Sequence, residues 1–523
     1  MQRFALISLA AIAIAGSFPL FAADQTVKVD GGRVAGAEDD GVRVFKGIPF
    51  AAPPVGDLRW KPPQPVVAWT GVRKADTFGP QCVQLPYPAG SPYASAPAPM
   101  SEDCLSLNVW TAAGANEKRP VMVWIYGGAW TRGATSLSMY DGAALAKKGV
   151  VVVTTNYRLG PLGFLAHPEL SAESPHHSSG NYAILDHVAA LQWVRKNISG
   201  FGGDPANVTI FGESAGSWSV NTLQATPLAK GLFHKAIGES GARFELNPTF
   251  LTPSLLTPTL GQAEQGGVAY ARAVGADSIT ALRSVPAEKL VAVVPFRSST
   301  NVDGWVLPAD VRTIFTQKKH SGMPVLVGSN ANEWTTLSSL AAFPKTLDDF
   351  HKRIDAQFAE LAKEFDDVYP VKTEADIANA ILGLARDNLF TFQMRTWARV
   401  VTAGGRKAFL YQFTRVPPGP RAREWGAFHA SEIEYVFGNL GKFWVFQYTE
   451  TDRALSDAMS TYWVNFAKTG DPNGNGLPAW TAYDPGAEPY LDLGDTVQLK
   501  HHLLKAQVDF LERAQQARSS DAR

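Results

Sequence analysis

The chain has 523 residues, 45% of them hydrophobic, with 48 Lys+Arg balanced by 48 Asp+Glu for a formal net charge of +0. That apolar content excludes a disordered chain, and the lack of a basic surplus argues against a nucleic-acid partner. The length suggests roughly three domains at about 150 residues each, although one large α/β sheet carrying insertions can also reach this size.

The first residues do not read as fold. Met1-Gln2-Arg3 is a short basic start, followed by an apolar stretch from Phe4 to Ala15 and then by Gly16, Ser17 and Pro19. The run is shorter than the roughly 20 residues that span a bilayer and matches a signal-peptide core. Residues 1–23 are therefore expected to be a signal peptide, cut in the stretch Leu20 to Asp24, with an uncleaved anchor as the alternative. The remainder, 24–523, shows no linker that would divide it and is expected to form one exported domain, periplasmic or secreted, with no further membrane insertion.

Next along the chain come the two cysteines, Cys82 and Cys104, in a stretch rich in Pro, Ala, Ser and Tyr. In an oxidising compartment such an isolated pair reads as a disulfide, which the chain-entropy account values at roughly 3 kcal/mol for a loop of this length. Two free buried thiols are the alternative. No Cys/His cluster has metal-ligand spacing, and the pairs His176-His177 and His501-His502 read as solvated surface.

Strand-like and helix-like segments then alternate. Val121–Tyr126, Val150–Thr155, Val208–Phe211, Pro324–Val327 and Ala408–Phe413 are short runs without polar alternation, as expected of buried strands. Ile184, Val188, Leu191 and Val194 recur at helical spacing between Tyr182 and Asn197, as in an amphipathic helix. The pattern predicts an α/β fold with a mainly parallel sheet covered on both faces, with functional groups at the carboxyl ends of the strands.

One motif carries chemistry. The strand Val208–Phe211 runs into Gly212-Glu213-Ser214-Ala215-Gly216, a G-x-S-x-G pattern in strand-then-turn context. Small neighbours let the turn close, which exposes the Ser214 hydroxyl and turns backbone N–H groups toward a reacting carbonyl. Gly238-Glu239-Ser240-Gly241 is a near miss, because position 242 is Ala. An oxyanion needs N–H donors. Ala215 supplies one by its position after Ser214, and the loop Tyr126-Gly127-Gly128-Ala129-Trp130, following a strand, is the candidate for the others. Spacing leaves the base open among His234, His320, His351, His429, His501 and His502. His429 and Glu333 each follow a strand's carboxyl end.

Long segments resemble the type-B carboxylesterase, or cholinesterase-like, family. These are Ser101-Glu102-Asp103-Cys104-Leu105-Ser106-Leu107-Asn108-Val109-Trp110, Asn156-Tyr157-Arg158-Leu159-Gly160, Phe201-Gly202-Gly203-Asp204-Pro205 through Gly216, Val302-Asp303-Gly304, and Gly470-Asp471-Pro472-Asn473. The resemblance extends from about Gly31 to Leu493. It implies an α/β-hydrolase fold over 24–523, with a large mixed, mainly parallel central sheet. It also implies hydrolysis of a small-molecule carboxylic ester through an acyl-enzyme, without metal or organic cofactor. Residue by residue, it carries over Ser214 as nucleophile, Glu333 as acid, His429 as base, and Gly128, Ala129 and Ala215 as oxyanion donors. Cys82–Cys104 matches a disulfide closing a loop at the active-site entrance.

Departures from the family pattern bear on specificity. Ala129 stands where a third Gly is common, and Trp334 follows Glu333 where Gly is common. The stretch between the cysteines holds Tyr87 and Tyr93 but no Trp, whereas choline-selective relatives use a Trp there as a cation–π platform. Trp130, Arg132, Trp218 and Trp334 are candidate pocket residues. Arg132 meets either an anionic acyl group or a structural ion-pair partner. The alternatives to a general esterase are a hydrolase of a specialised ester, such as a polycarboxylate or bulky one, an amidase, and a non-catalytic binding relative.

Overall fold

The computed structural model describes residues 26–114, 117–244, 256–337 and 343–521, with side chains to 517. The expected signal peptide, 1–23, lies outside the described residues. The centre is an 11-stranded sheet. From one edge its strands are Val497–His501, Pro489–Leu493, Ala408–Phe413, Val325–Asn330, Lys235–Glu239, Gly203–Glu213, Arg119–Ile125, Val151–Thr155, Ser106–Thr111, Val42–Pro49 and Ala37–Asp39. The strands from Pro489–Leu493 to Val151–Thr155 are parallel. The flanking pairings are antiparallel.

Parallel strands need crossovers, and the crossovers cover the sheet. This is why Val151–Thr155, Val325–Asn330 and Ala408–Phe413 are buried at every position. The two covering layers can be read from one strand. Gly238 leaves room for Trp397 of helix Phe392–Ala403, whereas the next residue, Glu239, accepts a hydrogen bond from Trp463 Nε1 of helix Glu450–Thr469 at 2.8 Å. Consecutive strand residues point to opposite faces, so these helices lie on opposite sides.

Three expectations are modified. The Val208–Phe211 run is part of a longer strand, Gly203–Glu213, whose register shifts between Gly203 and Val208. Helix Tyr182–Asn197 has the expected bounds but is buried nearly all round, including Asp186. Arg158 permits that burial by gripping Asp186 with Nε and Nη2 at 2.8 and 2.7 Å, because a buried carboxylate requires a paired, hydrogen-bonded partner. The strand Lys235–Glu239, charged at both ends and not expected from the apolar runs, lies among the inner parallel strands.

Beside the main core, a second hydrophobic cluster joins Phe350, Ile354, Phe358, Phe365 and Ile381 to Phe510 and Leu511 of the C-terminal helix. Among the described residues, no helix is long and apolar enough to cross a membrane. Cys82 and Cys104 form a disulfide, which is compatible with export.

Candidate active site

The turn at Ser214 is built by its neighbours. It joins strand Gly203–Glu213 to helix Ala215–Ala225 with φ 55° and ψ −122°, a costly conformation for a non-glycine residue. Close packing holds it there. A Cβ on Gly216 would sit 2.0 Å from the Ile125 carbonyl oxygen, and one on Gly212 would sit 2.6 Å from the same atom. Both glycines of the pattern are therefore required by the approach of the neighbouring strand. Ser214 N–H donates to the Glu239 carbonyl at 2.8 Å.

Glu333 and His429 arrive from the ends of strands Val325–Asn330 and Ala408–Phe413. His429 Nδ1 bonds Glu333 Oε2 at 2.6 Å. The other oxygen, Glu333 Oε1, accepts from Ser240 Oγ and from the Asn330 N–H, each at 2.6 Å. Glu333 is fully buried and His429 is 4% exposed. On its outer side, His429 Nε2 lies 3.0 Å from Glu213 Oε1, without the alignment of a hydrogen bond.

Two carboxylates thus flank one imidazole. Burial alone would lower the His429 pKa, but Glu213 and Glu333 outweigh it and hold the ring well above the usual histidine value. Burial also raises Glu213 above the usual carboxylate range, and Glu333 adds to this, while His429 opposes both. Glu239, the strand neighbour of Ser240, is pushed up to about 8 by burial, against the pull of the Trp463 N–H and with a contribution from Glu213.

A cavity of about 360 Å³ opens over Ser214 and His429. Its walls are mostly aromatic and aliphatic, including Tyr87, Tyr93, Trp218, Trp334, Phe390 and Phe443. Gly128 and Ala129 also line it, and among the described residues neither backbone N–H has a hydrogen-bond acceptor. Ala215 begins the helix after Ser214, where first-turn N–H groups have no intrahelical partner. Among the described residues no group of side chains could hold a metal ion.

The structure brings Ser214, Glu333, His429, Gly128, Ala129 and Ala215 together at the carboxyl end of the sheet. The remaining histidines stand elsewhere. His234 Nδ1 accepts from the Val208 N–H, His320 stacks on Phe315, His351 faces Asp366 and His501 bonds the Ala487 carbonyl, while His502 is exposed.

Of the candidate pocket residues, Trp218, Trp334 and Arg132 line the cavity, but Trp130 does not. Trp130 is fully buried, stacks on Phe164 and donates through Nε1 to Ser219 Oγ at 2.8 Å. Among the described residues Arg132 makes no ion pair. Its Nε donates to the Leu85 and Pro86 carbonyls at 3.2 and 3.3 Å, and its guanidinium lies over the Tyr87 ring.

Ser240, Asn330, Glu213 and Tyr93 also belong to the site, and their roles were not read from the sequence. Tyr93 OH donates to the His429 carbonyl at 3.0 Å and bonds Thr336 Oγ1 at 2.6 Å. Ser240 stood in the near-miss motif, which serves the acid rather than acting as a second nucleophile turn.

A sheet of this order with its site above the parallel strands defines an α/β hydrolase, and solved structures agree. A para-nitrobenzyl esterase superposes with a TM-score of 0.79 at 34% identity, covering 93% of this chain and 100% of that one. A carboxylesterase of Geobacillus stearothermophilus superposes at 0.80 and 33%, with the same coverage. The profile of the carboxylesterase family matches residues 23–511. Among individual relatives, a fumonisin B1 esterase of Sphingopyxis macrogoltabida is 38% identical over 87% of this chain and 84% of its own. The para-nitrobenzyl esterase of Bacillus subtilis is 35% identical over 91% and 96%. The chain belongs to the carboxylesterase family and is a carboxylic ester hydrolase.

Proposed function

We propose that the chain hydrolyses small-molecule carboxylic esters with Ser214 as nucleophile, His429 as general base and acid, and Glu333 as the group that orients His429. The observation that carries this reading is the 2.6 Å bond from His429 Nδ1 to buried Glu333, beneath the cavity onto which the Ser214 turn opens. With Nδ1 committed to Glu333, Nε2 is the nitrogen left to take the Ser214 proton. Its approach to Glu213 has no hydrogen-bond alignment to lose, and catalytic bonds of this kind tighten in the substrate complex.

As Ser214 Oγ attacks the ester carbonyl, the carbonyl oxygen becomes an oxyanion and takes the free N–H groups of Gly128, Ala129 and Ala215. His429, now an imidazolium stabilised by Glu333, gives its proton to the leaving alcohol. Water then attacks the acyl-enzyme by the same route and restores the free serine. The aromatic and aliphatic walls suit esters with uncharged apolar groups. The stretch between the cysteines brings Tyr87 and Tyr93 but no Trp to the cavity, which argues against a choline ester. An exported enzyme, periplasmic or secreted, fits the expected signal peptide and the disulfide. Ser214→Ala is expected to remove at least about four decades of turnover on a chromogenic ester while leaving the circular dichroism spectrum unchanged. Near-normal hydrolysis by that variant would overturn the assignment.

A further inference from the structure

The loop offering the Gly128 and Ala129 N–H groups follows an unfavourable path. Gly128, Ala129, Trp130 and Gly133 have φ of 99°, 55°, 58° and 116°. Two of these four are not glycine, and left-handed backbone at such residues persists only where the surroundings over-determine it. Inside the loop, the Thr131 and Arg132 N–H groups donate to the Gly128 carbonyl at 3.0 and 3.1 Å. On the sheet side, the buried Trp130 ring anchors the middle.

The far end is held by one side chain from the disulfide-closed stretch. Gln84 Oε1 accepts the Gly133 N–H at 2.7 Å, and Gln84 Nε2 donates to the Gly133 carbonyl at 2.8 Å and to the Cys82 carbonyl at 3.0 Å. An amide accepts on one side and donates on the other with this spacing, which a carboxylate cannot do. Gly133 is in turn packed on the donor loop. A Cβ there would lie 2.9 Å from the Gly127 carbonyl oxygen, and one on Gly128 would lie 2.3 Å from the Arg132 carbonyl oxygen. A shift at Gly133 therefore passes directly to the donors.

We propose that Gln84 is a positioning residue for the oxyanion hole, a clamp by which the Cys82–Cys104 loop sets the height of the Gly128 and Ala129 N–H groups over Ser214. This rests on the esterase reading above. Donors aimed at the oxyanion rather than at the ground-state carbonyl act on the transition state, so loosening the clamp lowers kcat and leaves KM nearly unchanged.

Gln84→Leu keeps the bulk and removes all three bonds, and kcat on a neutral chromogenic ester should fall about tenfold with KM within about twofold. Gln84→Glu adds a readout that a purely structural role would not move. As a carboxylate it accepts from the Gly133 N–H but faces the Gly133 carbonyl with a second acceptor. Protonated, it regains donor and acceptor together. The ratio of variant to parent kcat should therefore rise as pH is lowered, with the His429 titration cancelling in the ratio. An unchanged kcat, an effect confined to KM, or a ratio independent of pH would overturn the proposal. If Gln84→Leu fails to fold, the pH ratio for Gln84→Glu decides alone. Failure of the esterase reading itself is distinguishable, since it would appear as hydrolysis that survives Ser214→Ala.

Discussion

Ser214 is held by residues beside it in the chain and by the strand next to its own, whereas Glu333 and His429 are held by each other and by Ser240, across 96 and 93 positions of sequence. The two halves of the site share one end of the sheet and differ in how their geometry is enforced. At the nucleophile turn, a Cβ on Gly212 or Gly216 collides with the backbone of Ile125 on the neighbouring strand, so the turn is enforced by sterics. At the acid–base half, buried hydrogen bonds satisfy a carboxylate that would otherwise be costly. A steric device is strong and has few partners. A hydrogen-bonded device can be weakened in steps.

That difference can be tested by removing one support at a time. Glu333→Gln keeps the shape and removes the charge that stabilises the His429 imidazolium. Turnover should fall by about three to four decades, with little change in KM, and a loss of less than about tenfold would mean that the acid–base half does not depend on this pair. Ser240→Ala removes one of the two donors to Glu333 Oε1 and leaves the Asn330 N–H in place. About tenfold in kcat is expected, the size of one buried charge-assisted bond, measured beside a thermal unfolding curve to separate it from lost stability.

Glu213→Gln has the smallest effect on rate and the clearest sign. The base acts when neutral, so kcat/KM rises with pH through the His429 pKa. Two carboxylates hold that pKa up, and removing one lets the proton leave earlier. The midpoint should therefore move to lower pH. An unchanged or higher midpoint would show that Glu213 does not act on His429.

Much of the fold was legible in sequence. The runs Val150–Thr155 and Ala408–Phe413 are strands because burial on both faces leaves no room for polar alternation, and helix Tyr182–Asn197 has the bounds its periodicity implied. Lys235–Glu239 was not legible, because Lys235 and Glu239 are buried only by virtue of distant partners, Asn207 and Trp463. In the site, the G-x-S-x-G turn stood out because its residues fall in one short run of sequence. Glu333 and His429 were candidates by their place after a strand's carboxyl end, but only the resemblance separated His429 from the five other histidines that follow Ser214 in the chain.

By itself, the sequence determined the alternation of buried strands and helices, the nucleophile turn, and the balanced charge that makes no call on polyanionic partners. All of these are written in short runs of sequence or in sums over the chain. The tertiary structure decided which histidine meets Glu333, that Trp130 is buried beside the site while Trp218 and Trp334 wall the cavity, and that Arg132 is tied to the Leu85 and Pro86 carbonyls. It also decided that Gln84 reaches Gly133. Each of these is a contact between residues brought together only when parallel strands align their carboxyl ends, and no spacing along one chain encodes that alignment.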